Sequence, residues 1–247
     1  MDASRGMWRK WCGEDVIQPE INQFESTVWP MKAAGLISDN INSFLDEQGK
    51  CSVILTGGRR AARLYKAWSD LPAFQQMTTG MSFYFGDERC VPPDNAESNY
   101  GMAMQTLFSH GVPAGCSVFR MEADATYQAA AAKRYADLLP VSIDVLLLGV
   151  GEDGHIASLF PNNAALQECK RLVVHITGPK PPFERLTITP QIITKARLVF
   201  VLEPGSVKAQ VLLTPLQSAV NYQQTPVRLA LKNATSLLDT ALTEYIF

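Results

Sequence analysis

The chain has 247 residues, of which 47% are hydrophobic and 19% are charged. This balance is typical of a globular domain and excludes a disordered, collagen-like or coiled-coil chain. Lysine and arginine total 22 against 24 aspartates and glutamates, a formal charge of −2, so bulk positive charge for a nucleic-acid surface is absent.

The cysteine pattern and the N-terminal segment indicate a cytoplasmic protein without a nucleic-acid or membrane partner. No apolar run approaches the roughly 20 residues of a membrane span, and the N-terminus lacks the apolar core of a signal peptide. Residues 1–18 show neither helical nor strand periodicity and are predicted to be an N-terminal extension, followed by a single domain over residues 19–247. Five widely spaced cysteines without a CxxC pair predict reduced thiols: Cys12, Cys51, Cys90, Cys116 and Cys169.

The predicted elements alternate between helices and strands. Apolar residues at helical spacing predict a helix within residues 21–48, stopped by Gly49. Further helices are predicted over residues 60–68, 98–108 and 125–138, the last with Asp124 as N-cap, and from residues 206 and 234. Short apolar runs predict strands over residues 51–56, 81–85, 143–148, 172–176, 185–188 and 198–202.

This alternation predicts the fold class: α/β, a single domain with a mainly parallel, doubly wound, Rossmann-like sheet and helices on both faces. In such sheets ligands bind beyond the carboxyl ends of the strands. The loops that follow Thr56, Phe85 and Leu148 should therefore converge on one site.

The first of these loops, TGGRR at residues 56–60, has the composition of a phosphate site. Gly57 and Gly58 allow backbone N–H groups to approach an anion, and the following helix N-terminus adds about half a positive charge. A plain tight turn is the alternative interpretation, and the adjacent Arg59 and Arg60 favour the anion.

The second loop, GDER at residues 86–89, places three charges directly after a strand. Arg89 is suited to a bidentate contact with phosphate, and Asp87 to a hydrogen bond with a sugar hydroxyl or to positioning a water. A local ion pair on a solvated loop is the alternative.

The third loop, GVGEDGH at residues 149–155, matches the dinucleotide fingerprint GxGxxG, but its context does not. Glu152 and Asp153 would oppose a pyrophosphate, Pro161 interrupts the helix that the fingerprint needs, and the strand near Ile176 lacks the acidic ribose ligand. A dinucleotide cofactor is therefore not expected.

His155 in the same loop is a candidate general base. It follows a strand, Asp153 can orient its ring, and neighbouring glycine N–H groups could stabilise an oxyanion. A neutral imidazole is suited to deprotonating water at cytosolic pH. His110 and His175 are more simply structural. Without metal-ligand spacing, a GxSxG elbow or an HExxH motif, zinc hydrolases and serine esterases are excluded.

Several segments together resemble the 6-phosphogluconolactonase family, relatives of glucosamine-6-phosphate deaminases. The resemblance implies hydrolysis of 6-phospho-D-glucono-1,5-lactone to 6-phosphogluconate in the oxidative pentose phosphate pathway, with no metal or coenzyme. The partner would be a phosphorylated sugar lactone, bound by a monomer or weak homodimer. The matching segments lie within residues 53–209: ILTGG, FYFGDERCVPPDNAESNYGM, DVLLLGVGEDGHIASLFP, KPPFERLTIT and GSVKA.

The resemblance also implies roles for single residues. His155 becomes the catalytic base beside Asp153, and backbone N–H groups of its loop, Gly151 included, would hold the oxyanion. Asp87 and Arg185 would contact sugar hydroxyls or position loops. The implied phosphate ligands are Gly57, Gly58, Arg89 and Lys208.

One departure concerns the phosphate loop. Many family members follow the two glycines with a small hydroxyl residue and then Thr-Pro or Ser-Pro, whereas this chain has Arg59, Arg60 and Ala61. Arg59 either substitutes for the hydroxyl by charge or points to solvent.

Two other functions remain as alternatives. The related deaminases have a glutamate five positions after the histidine, where this chain has Phe160. A sugar-phosphate sensor that binds without turnover would not need His155 in this loop, and no basic or helix-turn-helix segment precedes the domain.

Overall fold

The computed structural model describes residues 20–76, 80–202, 221–231 and 234–239. The predicted N-terminal extension, the predicted helix from residue 206 and Lys208 lie outside these ranges. The limits of the predicted single domain stay a prediction.

The described elements follow one another in a mixed α/β order. The strands are β1 (Glu20–Phe24), β2 (Cys51–Leu55), β3 (Met81–Phe85), β4 (Asp87–Arg89), β5 (Cys116–Val118), β6 (Val145–Gly149), β7 (Val173–Thr177), β8 (Glu184–Ile188), β9 (Leu198–Leu202) and β10 (Ala234–Asp239). The α-helices are α1 (Trp29–Gln48), α2 (Arg59–Ser69), α3 (Pro72–Gln75), α4 (Asn99–Thr106), α5 (Gln128–Leu138) and α6 (Pro190–Lys195). Two 3₁₀ turns span Ala164–Gln167 and Pro226–Leu229.

A parallel sheet forms the centre of the described structure. Its 7 strands run in the order β1-β10-β9-β6-β2-β3-β5, and every pairing is parallel. All five residues of β2 are buried, and neighbouring residues of a strand face opposite sides, so both faces of the sheet are covered. This confirms the predicted α/β class.

A second sheet of 3 strands, β4-β8-β7, is antiparallel. The strands predicted near residues 172–176 and 185–188 therefore exist, but they pair with each other in a hairpin rather than joining the main sheet. Residues 87–89, predicted as a loop, form β4 and place Arg89 opposite Arg185. Three charged residues show no apolar alternation, so only the distant pairing reveals this strand.

The helix boundaries test the predicted stop and start signals. Gly49 ends α1 in the left-handed conformation at φ 69°, as predicted. Ser98 caps α4 by accepting a hydrogen bond from the N–H of Gly101. The prediction of Asp124 as the N-cap of α5 is wrong, because α5 begins at Gln128 and the Asp124 carboxylate pairs with Arg120 at 3.0 Å.

The C-terminal prediction is also wrong. A helix was expected from residue 234, but residues 234–239 form strand β10 between β1 and β9. Its apolar residues satisfy a helical period equally well, and the hydrogen-bonding partners on both sides decide in favour of a strand. β1 at the sheet edge was not predicted either.

The structure describes four of the five cysteines. Cys51, Cys90, Cys116 and Cys169 are free thiols. Among the described helices, none combines the length and apolar character that crossing a bilayer would need.

Candidate active site

A cavity of about 500 Å³ opens at the carboxyl edge of the main sheet. The loops after β2, β3 and β6 all contribute to its wall, as the sequence predicted, and β8 adds Arg185. The predicted site residues on this wall are Gly57, Gly58, Arg59, Asp87, Arg89, Gly151, His155 and Arg185.

Two buried tyrosines fix the strand ends below the cavity. The Tyr65 hydroxyl accepts from the N–H of Thr56 and donates to its carbonyl, both at 2.8 Å. The Tyr135 hydroxyl does the same for Phe85, at 2.6 and 3.0 Å. Burial raises the pKa of both phenols, so they stay neutral hydrogen-bonding groups. The two strands therefore end at fixed points, and their loops start there.

The glycine turn after β2 presents free backbone donors. Gly58 has φ 96°, a left-handed conformation that favours glycine. A Cβ on Gly57 would lie 2.0 Å from Oδ1 of Asn99, so only glycine fits there. Within the described ranges, the N–H groups of Gly57, Gly58 and Arg59 have no protein acceptor. They form an uncapped helix N-terminus at the cavity, a favourable place for an anion.

Glu88 joins the GDER loop to the SNY segment. Its buried carboxylate accepts from the N–H groups of Asn99 and Tyr100, both at 2.8 Å, and from the hydroxyl of Ser98 at 3.0 Å. Burial raises the pKa of Glu88, and the backbone donors oppose this shift. Glu88 thus anchors α4 to β4 and leaves Asp87 and Arg89 on the cavity side.

Both carboxylate oxygens of Asp87 accept a hydrogen bond. It is buried, its Oδ2 accepts from the Ser158 hydroxyl at 2.5 Å, and its Oδ1 accepts from Nδ2 of Asn99 at 3.2 Å. Arg185 approaches the same Ser158 hydroxyl at 3.4 Å. Of the two roles expected for Asp87, these contacts support loop positioning.

His155 and Asp153 form a close pair beside the cavity. The carboxylate Oδ1 lies 2.5 Å from Nδ1 of the ring, and a carboxylate only accepts, so Nδ1 carries the proton. Burial alone would raise the pKa of Asp153, but the hydrogen bond and charge of His155 lower it to about 2. The His155 side chain is 26% exposed. With Nδ1 engaged, Nε2 is the nitrogen left to act as a base.

The glycines around His155 shape its loop. The N–H of Gly151 donates to the His155 carbonyl at 2.9 Å, and that of Gly154 to the Gly151 carbonyl at 3.0 Å. The N–H of Gly149 donates to Oγ1 of Thr56 at 3.1 Å. Internal acceptors thus occupy these donors in this structure, and the oxyanion role of the Gly151 N–H stays a prediction.

Gly151 makes room for the imidazole ring of His155. A Cβ at this position would lie 2.0 Å from Nδ1 of His155, so the imidazole ring rests directly on the glycine. Between this loop and β7, the described chain has a 3₁₀ turn at Ala164–Gln167 and no α-helix. The loop therefore lacks the helix that the dinucleotide fingerprint places directly after its glycines.

Two arginines close the side of the cavity near the small sheet. Arg89 contacts the carbonyl of Glu97 and, at 3.5 Å, its carboxylate. Its Nε is buried and has no partner in the described structure. Arg185 donates from Nε to the carbonyl of Pro182 at 2.9 Å, and burial lowers its pKa. An anionic ligand would supply the missing acceptor at Arg89.

The cavity wall is strongly positive. Arg59, Arg60 and Arg63 of α2 line it together with Arg89 and Arg185. Among the described lining residues, Asp87 is the one carboxylate, and it is already hydrogen-bonded. This imbalance favours anionic ligands, and phosphate in particular matches the geometry of guanidinium groups. The described residues contain no cluster of metal-ligating side chains.

Residues 26–238 match the family model for glucosamine-6-phosphate isomerases and 6-phosphogluconolactonases. The chain belongs to this family. It is 34% identical over 203 residues to a 6-phosphogluconolactonase of Streptomyces coelicolor, covering 74% of this chain and 78% of the relative. It is 36% identical over 194 residues to the 6-phosphogluconolactonase of Rattus norvegicus, covering 72% and 74% of the two chains.

Solved structures of the family share the fold. The 6-phosphogluconolactonase from Trypanosoma cruzi superposes with a TM-score of 0.81 at 26% identity, over 95% of this chain and 99% of that one. The enzyme from Trypanosoma brucei gives 0.76 at 28% identity, over 93% and 99%. The curated relatives and these neighbours are hydrolases of one named activity.

Phe160 is an aromatic neighbour of His155. Its buried ring lies 4.6 Å from the His155 ring, between ring centroids, and the Arg185 guanidinium lies 5.5 Å from the same ring. The deaminase motif has a glutamate at this position. Here the histidine has an apolar neighbour instead of a second carboxylate.

Sequence reasoning missed three residues of the site: Arg63, Asn99 and Ser158. Asn99 and Ser158 lie inside the family segments SNYGM and IASLFP, so the motifs contained them without indicating their contacts. Arg63 lies four residues after Arg59, a spacing that places both on one helix face. Lys208, predicted to bind phosphate, lies outside the described residues.

Proposed function

We propose that this protein hydrolyses 6-phospho-D-glucono-1,5-lactone to 6-phospho-D-gluconate, in the oxidative pentose phosphate pathway. One observation carries the proposal: His155, paired with Asp153, lines the same cavity as the guanidinium groups of Arg59, Arg63, Arg89 and Arg185. The lactonase activity of the curated relatives agrees with this arrangement.

The phosphate group of the substrate binds at the glycine turn and Arg89. The free N–H groups of Gly57 and Gly58 donate to phosphate oxygens, and Arg89 adds a charge-assisted hydrogen bond. Anchoring this end limits the positions open to the lactone ring and presents its carbonyl to His155.

His155 acts as the general base. Its Nε2 takes a proton from water, and the water oxygen forms a bond to the lactone carbonyl carbon. The tetrahedral intermediate then collapses, the bond between that carbon and the ring oxygen breaks, and the imidazolium returns its proton to the ring oxygen. Asp153 holds the ring and stabilises the imidazolium while it exists.

Phe160 favours this reaction over amino-sugar isomerisation. Ring opening and isomerisation in the deaminases use the glutamate that follows the histidine, and Phe160 has no ionisable group to replace it. Hydrolysis of a lactone needs one base at the carbonyl, which His155 provides.

The decisive test is a coupled assay. Glucose-6-phosphate dehydrogenase generates fresh lactone, and phosphogluconate formation is followed with and without the protein. We expect hydrolysis well above the spontaneous background and no ammonia from glucosamine 6-phosphate. Ammonia release would establish the deaminase instead. Binding of phosphogluconate without faster hydrolysis would establish a sensor.

A further inference from the structure

The N-terminus of α2 has a charge pattern that opposes helix stability. Arg59, Arg60 and Arg63 fall within its first five residues, and its first turn contains no acidic residue. The N-terminal end of a helix carries partial positive charge, so cations there are unfavourable. Arg59 and Arg63 also form a like-charged i,i+4 pair. A local pattern that conflicts with stability is expected where a function requires it.

The described protein does not neutralise this charge at Arg59 or Arg63. Neither guanidinium has a carboxylate partner within the described ranges. Arg63 donates from Nη2 to the carbonyl of Ser26 at 3.0 Å. This contact holds the guanidinium at the cavity wall, and the described residues provide no acceptor for its other N–H groups.

The location of Arg63 matches the anion site of the glycine turn. Arg63 lies one turn along α2 from Arg59, on the same helix face, and both line the cavity with Gly57 and Gly58. No hydroxyl residue follows the glycines of the turn, since arginines occupy those positions. A guanidinium one turn further along can reach an anion held by the backbone donors.

We propose that Arg63 is a specificity-determining residue that contacts the phosphate of the substrate and makes the enzyme select phosphorylated over unphosphorylated lactones. The proposal rests on the proposed function, since it assigns the phosphate end of the same site. Arg63 contributes to binding and has no part in the proton transfers at His155.

The test compares two substrates and three variants. Arg63→Ala should raise KM for 6-phospho-D-glucono-1,5-lactone roughly 5- to 30-fold, as loss of a charge-assisted hydrogen bond predicts. It should leave kcat/KM for unphosphorylated glucono-1,5-lactone unchanged. Arg63→Lys should recover part of the loss, because it keeps the charge without the planar fork. Lys66→Ala removes an exposed cation of the same helix that lies away from the cavity. It should leave KM and kcat/KM unchanged for both substrates.

A purely structural role for Arg63 would give a different result. If Arg63 only ties α2 to Ser26, Arg63→Ala would reduce kcat/KM for both substrates equally, and the proposal would be wrong. Unchanged kinetics with the phosphorylated substrate would also overturn it. Thermal unfolding of each variant shows whether the fold is intact.

A binding measurement separates this proposal from the proposed function. Inorganic phosphate should raise the Tm of the wild-type protein and of Lys66→Ala, and do so much less for Arg63→Ala. If the wild type shows this Arg63-dependent shift but hydrolyses no lactone, the proposed function fails and the phosphate contact stands. If phosphate shifts the Tm of Arg63→Ala as strongly as that of the wild type, the phosphate contact fails.

Discussion

At the scale of single residues, His155 is the side chain whose chemistry the proposal needs most. Its Nδ1 is committed to Asp153 at 2.5 Å, and its ring is supported by Gly151 and Phe160. These contacts fix the ring without covering it, since about a quarter of the side chain, 26%, stays exposed. The imidazole is thus oriented by the protein and open to a substrate.

Replacing His155 should affect turnover rather than binding. We expect His155→Asn to lower kcat by about 10² to 10⁴ with little change in KM, the usual contribution of a general base. His110→Ala is the matched control, because His110 is an exposed histidine that contacts Asp70 away from the cavity. Near wild-type turnover of His155→Asn would exclude this residue from the mechanism.

Asp153 should support His155 as an ionised carboxylate. With its pKa lowered to about 2 by the hydrogen bond and charge of His155, Asp153 keeps its negative charge at neutral pH. Asp153→Asn removes this charge, and we expect it to lower kcat at neutral pH with little change in KM, as steady-state kinetics would show.

Arg89 should contribute mainly to affinity. Arg89→Ala removes a guanidinium whose buried Nε has no partner in the described structure. We expect KM and the inhibition constant of 6-phosphogluconate to rise about tenfold or more, as for other charge-assisted contacts. Unchanged affinity for the phosphorylated product would contradict the phosphate contact.

A substitution at Gly151 should lower catalysis without lowering stability. In Gly151→Ala the new methyl would overlap Nδ1 of His155, and the ring, not the backbone, would have to move. We expect kcat to fall about 10- to 100-fold through misplacement of the base, with the Tm little changed. Gly35→Ala in α1, where a Cβ meets no atom within 4 Å, is the control and should keep full activity. A Gly151→Ala enzyme with wild-type kcat would show that the ring position is not critical.

At the scale of elements, the site depends on how strands end. β2 and β3 run in register from Cys51 opposite Met81 to Leu55 opposite Phe85. At Thr56, directly after β2, the hydroxyl of Tyr65 from α2 takes the place of a neighbouring strand as hydrogen-bonding partner. At Phe85, the last residue of β3, the hydroxyl of Tyr135 from α5 does the same. The strands separate there, and the loops that follow are free to line the cavity.

Removing one of these hydroxyls should destabilise the fold. Tyr65→Phe would leave the buried N–H and C=O of Thr56 without partners, and we expect the free energy of unfolding to drop by about 2 to 4 kcal/mol. Urea unfolding measures this loss. Tyr127 is 77% exposed, so the control Tyr127→Phe should leave the free energy of unfolding unchanged. An equally small effect at both tyrosines would show that water satisfies Thr56.

At the scale of the whole molecule, the two edges of the main sheet carry different features. The carboxyl edge holds the cavity, whereas the amino edge holds a hydrogen-bond network around the buried carboxylate of Asp144. This carboxylate accepts from the N–H and hydroxyl of Ser52 at 2.9 and 2.7 Å, from Gln48 at 3.0 Å and from Arg197 at 3.2 Å. Asp144 thereby joins α1, β2 and the start of β9.

Asp144→Asn should destabilise the protein in a pH-dependent way. Burial opposes ionisation, but the hydrogen bonds from Ser52, Gln48 and Arg197 lower the pKa of Asp144 below its usual value. Its stabilisation is thus present above the ordinary carboxyl pKa near 4 and lost as the pH falls through the folded value. We expect a loss of about 1.5 to 3 kcal/mol at pH 7 that shrinks below pH 4. A loss that is constant between pH 7 and pH 3 would contradict this account.

The sequence by itself determined the fold class, the convergence of the three loops and the identity of most cavity residues. Apolar strands such as β2 and β6 are buried on both faces, and parallel strands bring their carboxyl ends to one edge, so local patterns were enough. Tertiary structure alone decided that residues 87–89 and 234–239 are strands and that the Gly151 N–H is already occupied. It also placed Arg63 in the cavity. These features depend on partners far away in the chain, and a local pattern contains no information about which partner a backbone N–H or a guanidinium finds.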